Sequence, residues 1–366
     1  MRSVGVEEEY GLINADTREL MPVAKQVRTR AERFLGDDVQ HEFKASQIEM
    51  ATPVCRTLDD VEREIRKARV HLSRAARQLG ARLIAAGTHP FSRPDQQPVT
   101  PTQRYRDIAS TYRELTNEFE IFGCHVHVGV DDPERAIAIL DRARSRLVPL
   151  IALSANSPYW EGRDTGYASY RTEVWSRWPL SGVPGAFETR RAYEQLVSDL
   201  LASGALDDET KIYWDIRPSA RFPTIEFRAM DVCATVDEAV AMAGLVRALV
   251  DTCAREVVES HPQNPVRYER IRLAHWLAAR DGLDGELVDL ALNALRPAHD
   301  VVRSWVDGLR EALRSNGDLE RVESTLDRMV HEGNGAQRQR RAFARGRSMR
   351  AVVDHLVKET LGERQE

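Results

Sequence analysis

Ile121–Val130 reads IFGCHVHVGV, and its alternation sets the frame for the rest of the chain. Side chains along a strand point to opposite faces in turn, so His125 and His127 share one face while Val126 and Val128 pack on the other. Three more segments carry polar residues where a strand core should be apolar. In VEEEY (Val6–Tyr10), Glu7 and Glu9 fall on one face and Glu8 on the opposite one. In HEFKASQIEM (His41–Met50), Glu42 and Glu49 lie on either side of a turn near Ala45–Ser46. In TIEFRAMD (Thr224–Asp231), Glu226 and Arg228 share a face, with Ile225 and Phe227 behind them. Each segment alone reads as an amphipathic surface strand. Together they are harder to dismiss: Glu7, Glu9, Glu42, Glu49 and Glu226 on neighbouring strands would repel one another unless cations sat between them. Carboxylates with imidazole and no thiolate suit Mg²⁺, or Mn²⁺ in its place. Magnesium keeps waters and substrate phosphates among its ligands, so such a site points to phosphoryl chemistry, with Arg228 pairing phosphate oxygens. Its bland alternative is a salt bridge to one of the glutamates.

Outward from these strands, the elements alternate. Leu58–Leu79 predicts a helix capped by Thr57, with Asp59, Asp60 and Glu62 in its first turn and Gly80 as its stop. Arg82–Gly87 predicts a short buried strand. Pro133–Ala155 predicts one long helix with proline in its first turn. Tyr213–Arg217 predicts a strand on which Asp215 and Arg217 share a face. Asn156–Pro184 has little periodicity but holds Tyr159, Trp160, Tyr167, Tyr170, Trp175 and Trp178, which argues for an ordered functional loop. Arg171 and Arg177 in that loop are candidates to clamp a substrate carboxylate, and Tyr167 is a further candidate to bind substrate. From Val236 onward the chain reads as helices broken near His261–Asn264, Gly282–Gly285 and Asn334–Gly335. The pattern fits a single α+β domain over residues 1–366, sheet-rich to about 235 and with a C-terminal helical layer over about 236–366. The other division is two domains cut near 236.

Bulk properties remove several classes. The chain has 366 residues, 42% hydrophobic and 30% charged, with a net charge of −5, which gives no electrostatic footprint for nucleic acid or an anionic membrane. No apolar run approaches the ~20 residues that span a bilayer. The N-terminus enters a strand at once, so the protein is read as cytoplasmic. Cys55, Cys124, Cys233 and Cys253 show no C-x-x-C spacing, so free thiols are expected. Lysine is confined to Lys25, Lys44, Lys67, Lys211 and Lys358, and neither a Walker loop nor G-x-G-x-x-G occurs; arginine and metal must hold any phosphate.

In order along the chain, GVEEEY, HEFKASQIEMAT, GTHPF, FGCHVHVG, LSANSPYWEGRDTGYASYR, WDIRPS and TIEFRAMD resemble the glutamate–cysteine ligase type 2 family, the carboxylate–amine ligases of the glutamine synthetase and guanido kinase superfamily. The similarity runs from about residue 3 to residue 250. It implies a curved antiparallel sheet forming an open funnel flanked by helices, and it implies ATP, Mg²⁺ and an acyl-phosphate intermediate. By matching position, Glu7, Glu9, Glu42, Glu49, His125 and Glu226 look like metal ligands. His127, Arg228 and Arg217 look like nucleotide-phosphate contacts, and Arg228 and Arg217 also like the groups acting on the transferred phosphoryl. Ala45 stands where some relatives carry an acidic residue. The implied substrates are glutamate and an amine, cysteine or another, and a homodimer is the assembly the family suggests. Three alternatives stay open: a guanidino or other small-molecule kinase on the same fold, a metal-dependent amidohydrolase or phosphatase, and a binding scaffold that has lost its chemistry.

Overall fold

The computed structural model describes residues 1–262 and 265–362. Its elements begin with β1 (Val4–Asn14), α1 (Ala24–Leu35), β2 (Val39–His41), β3 (Gln47–Ala51), α2 (Leu58–Arg77), β4 (Ala81–Ile84), α3 (Gln103–Tyr112), α4 (Glu114–Asn117) and β5 (Gly123–Gly129). There follow α5 (Pro133–Ala143), α6 (Val148–Ser154), β6 (Tyr159–Trp160), β7 (Arg163–Asp164), α7 (Tyr170–Trp175), α8 (Arg190–Ala202), β8 (Ile216–Pro218) and β9 (Thr224–Asp231). The last part holds α9 (Val236–Val258), α10 (Tyr268–Asp281), β10 (Glu286–Asp289), β11 (Ala294–Pro297), α11 (Ala298–Asn316), α12 (Leu319–Glu332), α13 (Gly335–Gly346) and α14 (Met349–Leu361).

The main sheet runs β2-β3-β1-β5-β9-β8, with β4 paired to the distal half of β1. Every pairing in it is antiparallel. Val4, Val6, Val126, Val128, Ile225 and Phe227 line one face and share a buried core with Leu58, Val61 and Ile65 of α2 and with α9. That face decides the register, because a slip of one residue would put the valines in water. α2 opens as its sequence predicts, with Thr57 Oγ1 accepting from Asp60 N at 3.1 Å in a capping box. α9 is buried almost all round.

Glu8 is the exception on the apolar face. Its carboxylate is buried and meets Arg69 of α2, with Nη2–Oε1 at 2.6 Å and Nε–Oε2 at 3.1 Å. Arg69 also donates to the Cys233 and Ala234 carbonyls at 2.9 Å, so each buried charge has its partners.

Three features depart from the sequence reading. The helix expected over Pro133–Ala155 is two helices, because Pro149 has no N–H to donate and opens α6 in its first turn. The segment after Gly285 forms the β10–β11 hairpin, since the Asp289 carboxylate accepts from Ala291 N and Leu292 N at 3.0 Å and makes a turn in place of a helix. The strand expected at Tyr213–Arg217 starts only at Ile216. The break expected at His261–Asn264 falls partly on Gln263 and Asn264, outside the described residues.

The loop over residues 156–184 is ordered by β6, β7, α7 and one buried carboxylate. Asp231, at the end of β9, accepts from Asn156 N at 2.8 Å and from Ser157 Oγ and Ser169 Oγ at 2.7 Å. Gly87 is required beside it: a Cβ there would lie 2.6 Å from Asp231 Oδ2.

Candidate functional site

The polar face of the sheet floors a cavity of about 460 Å³. Register explains who meets whom. His125 on β5 pairs with Glu7 on β1, and Glu9 pairs with Glu49 on β3. Glu226 on β9 sits between His127 on one side and Arg217 of β8 on the other. Between Cys124 and Val126 the β5–β9 register shifts, leaving Arg228 and Ala229 opposite His125 alone. Such a bulge locally re-aims side chains, and Arg228 lies beside it facing Glu226.

Two clusters result. Glu7, His127 and Glu226 each offer a ligand atom within 4.8 Å of the others, and so do Glu9, Glu42 and Glu49. Glu42 comes from the loop after β2, where its own carboxylate accepts from Phe43 N at 3.0 Å and its carbonyl from Thr100 Oγ1 at 2.6 Å.

The two clusters differ in how much positive charge surrounds them. Around the first, Arg217 Nε reaches Glu226 Oε2 at 2.8 Å and Arg228 pairs with Oε1 of the same carboxylate. Arg217 is fixed further by the Ile212 carbonyl at 2.6 Å. Burial pushes Glu226 up, but Arg228 and Arg217 outweigh it and hold the carboxyl well below the usual range. Burial also opposes ionisation of Glu7, yet His125 at 3.2 Å and His127 at 3.3 Å pull it well below its ordinary value. Burial and Arg228 hold His125 neutral, down to about 4, whereas for His127 contact with Glu7 overcomes burial and raises it. The second cluster lacks such compensation. Burial and the charge of Glu42 push Glu9 up to about 8, burial raises Glu42, and burial with Glu42 and Glu7 drives Glu49 well above the carboxylate range.

A divalent cation fits both donor sets. The second offers three carboxylates with too few cations, and the first offers two carboxylates and His127 Nε2, which is buried 3.3 Å from Glu7 Oε1. The Nδ1 of His127 is engaged by Thr224 Oγ1 at 3.0 Å, which orients the ring.

All the glutamates and histidines singled out in the sequence, with Arg217 and Arg228, line the cavity. Tyr167 does not join them: its hydroxyl accepts from Trp276 Nε1 at 3.1 Å on α10. Arg171 is buried behind the wall, with Nη2 donating to the Arg228 carbonyl at 3.3 Å and Nε without a partner. Gly123 makes room for it, since a Cβ there would lie 2.5 Å from Arg171 Nη2. Asp215 precedes β8 and meets His275 of α10 at 3.3 Å, so it does not share a face with Arg217. Tyr105, Phe119 and Arg104 line the cavity without having been singled out. They come from α3 and the loop before β5, where periodicity reports a helix but not which residues it turns toward a distant sheet.

The model of a family described as glutamate–cysteine ligase family 2 matches residues 3–359. A provisionally named glutamate–cysteine ligase 2 of Rhodopirellula baltica is 40% identical over 98% of this chain and 97% of its own. One of Streptomyces coelicolor, similarly named, is 41% identical over 98% of this chain and 99% of its own. Among solved structures, the glutamate–cysteine ligase of Francisella tularensis in complex with AMP superposes with a TM-score of 0.72 at 12% identity, covering 100% of this chain and 89% of that one. A bifunctional glutathione synthetase of Pasteurella multocida gives 0.72 at 15% identity over 99% of this chain, which spans about half (52%) of that longer protein. These two likenesses establish the fold.

Proposed function

This chain belongs to glutamate–cysteine ligase family 2 and is an ATP-dependent, amide-forming ligase, and on that premise we propose that it activates the γ-carboxylate of glutamate as an acyl phosphate and passes it to an amine. The observation that carries this reading is the pair of adjoining clusters on one sheet face, one balanced by arginine and histidine, the other short of positive charge.

A carboxylate resists an amine because oxide is a poor leaving group; phosphorylation replaces oxide with phosphate. For that, two anions must approach in line, which is a task of positioning and electrostatics. Arg228 and Arg217 are the groups proposed to bind the transferred phosphoryl, in exchange for part of their hold on Glu226. His127 stands with them on the nucleotide side. Glu9, Glu42 and Glu49 are proposed to hold Mg²⁺, and Glu7, Glu226 and the histidines His125 and His127 a second ion. Bound there, magnesium would neutralise charge on the phosphates and on the incoming carboxylate. Arg171, buried beside Gly123, is proposed to act on Glu9 from behind rather than to touch substrate. The helical part beyond residue 236 is read as the same domain, because α9 and α11 share the core of β1, β5 and β9. No described helix is long and apolar enough to cross a membrane, in line with the cytoplasmic location we propose.

The test is ADP release with Mg²⁺, ATP and L-glutamate against a panel of amines, with the products identified by mass. Stoichiometric ADP, phosphate and a γ-glutamyl amide are expected. A phosphorylated product without amide would replace the ligase reading with a kinase.

A further inference from the structure

Glu7, Glu9, Glu49, Glu226, His125 and His127 stand on strands of the sheet, but Glu42 does not. β2 ends at His41 and β3 begins at Gln47, so Glu42 lies on the connection between them. Its carboxylate meets Phe43 N and Glu49. Its backbone is held from outside the sheet, by residues 98–105. Three successive carbonyls around it accept from that segment: His41 O from the Tyr105 hydroxyl at 2.8 Å, Glu42 O from Thr100 Oγ1 at 2.6 Å and Phe43 O from Thr100 N at 2.8 Å. Ala45 N then donates to the Pro98 carbonyl at 2.9 Å, and Lys44 pairs with Val99 as an antiparallel bridge.

Residues 94–102, ahead of α3, form little regular structure of their own, and Pro94, Pro98 and Pro101 have no N–H to give. Lys44 supplies an anchor. Its side chain is buried, and Nζ donates to the Pro94 carbonyl at 3.0 Å and to the Gln97 carbonyl at 3.2 Å, at the two ends of the turn Pro94–Gln96. Burial works against that ammonium, and Glu120 and Asp95 support it. A buried charge is expensive unless its donors are used. Here they tie one loop to another. At the far end of the connection, Ser46 donates to the buried carboxylate of Glu120.

We propose that Lys44 and Thr100 are positioning residues for the cation site of Glu9, Glu42 and Glu49: Lys44 fixes residues 94–102, and Thr100, on that segment, fixes the peptide that carries Glu42. The inference rests on the reading of that cluster as a Mg²⁺ site. Magnesium demands near-octahedral geometry, so a carboxylate on a connection must be placed as firmly as one on a strand. Glu9 and Glu49 are placed by the ladder between β1 and β3, where they face each other. Glu42 has no ladder partner and takes its place from the two side chains. Neither Lys44 nor Thr100 lines the cavity, so both act through Glu42.

The experiment is calorimetric titration of Mg²⁺ into the whole protein, which reads the two sites apart, with thermal unfolding in chelator to read the fold. Thr100→Val keeps the shape and removes the hydroxyl; Lys44→Met removes the ammonium. Each should weaken Mg²⁺ at the site of Glu9, Glu42 and Glu49 about tenfold or more, as loss of other outer partners of metal ligands does, and leave the site of Glu7 and Glu226 unchanged. Thr100→Ser should bind like the parent. If Lys44→Met does not fold, the two Thr100 variants decide. A lower Tm with both affinities kept overturns the proposal. So does equal weakening of both sites, or a Thr100→Ser variant as weak as Thr100→Val. Glu42→Gln tests the reading beneath. Parental binding at both sites in that variant removes Glu42 as a ligand and this inference with it. Weakened binding there, with parental binding in Thr100→Val and Lys44→Met, overturns the inference alone.

Discussion

The two carboxylate clusters sit side by side on one sheet and solve the same electrostatic problem differently. Glu226 is neutralised from within, by Arg217 and Arg228, while Glu7 is held by a hydrogen bond with neutral His125 and by its contact with His127. Glu9, Glu42 and Glu49 are left with Arg171 and Arg228 at a distance, and their carboxyls are pushed toward the protonated form. The first cluster is therefore balanced within the fold, whereas the second is left short of positive charge. Removing a charge should accordingly have opposite effects on the stability of the metal-free protein at the two places.

The largest effect is expected at Glu226. Glu226→Gln leaves two mostly buried guanidinium groups facing a neutral amide, and breaking a buried pair by removing one partner costs about 3–5 kcal/mol. Thermal unfolding in chelator should show a large drop in Tm, together with loss of ligase turnover. A Tm equal to that of the parent would mean that the arginines are already balanced elsewhere, and the contrast between the clusters would collapse.

The next effect is a pH dependence confined to the second cluster. In the folded chain Glu9 titrates near 8 because of burial and Glu42, against an ordinary 4.5. A raised folded value means that the folded state holds the proton more tightly. Stability from this group is full below about 4.5 and is lost as pH climbs toward about 8. The carboxylates are half-buried and open on the cavity, so screening limits the loss to about 1–3 kcal/mol. Tm measured in chelator should fall from pH 5 to about 8, and saturating Mg²⁺ should flatten that slope. An equally steep slope with and without Mg²⁺ would remove the second cluster as a cation site.

Glu49→Gln is the smaller counterpart. It relieves repulsion with Glu42 and Glu9, and the metal-free protein at pH 8 should gain about 1–2 kcal/mol, since one pKa unit corresponds to about 1.4 kcal/mol. Activity should be lost at the same time. Gain of stability with loss of function is the signature that separates this cluster from the first.

The sequence was most legible where period-two alternation meets a buried face. Val126 and Val128 fix the orientation of His125 and His127, and Val4 and Val6 do the same for Glu7 and Glu9. Glu8 was placed on the opposite face by the same rule, but nothing local named Arg69, 61 residues away, as its partner. The bulge at Arg228–Ala229 left no mark either, because it exists only as a mismatch between two strands. Asp215 was misplaced for a related reason: alternation holds only inside a strand, and β8 begins one residue later. The aromatic lining of the cavity was half visible. Trp175 and Trp178 stood out in an unpatterned loop, but Tyr105 reached the cavity through the packing of α3, which a single helix does not announce.

The subtlest expected effect tests how the first cluster keeps its geometry. His127 presents Nε2 to Glu7 because Nδ1 is held by Thr224 Oγ1 at 3.0 Å. Thr224→Val keeps the shape and removes that hydrogen bond, at a cost of about 1 kcal/mol to stability. If the ring is a ligand whose orientation depends on its other nitrogen, Mg²⁺ should bind about tenfold more weakly or worse, as for other outer partners of metal ligands. The second cluster has no equivalent side chain to remove, because Glu9 Oε2 accepts from a backbone N–H, that of Gly123, at 2.5 Å. Calorimetric titration of Mg²⁺ should therefore show one site weakened and the other unchanged in Thr224→Val. Two sites weakened together would mean that the clusters act as one, and the division between a balanced half and one short of positive charge would have to be given up.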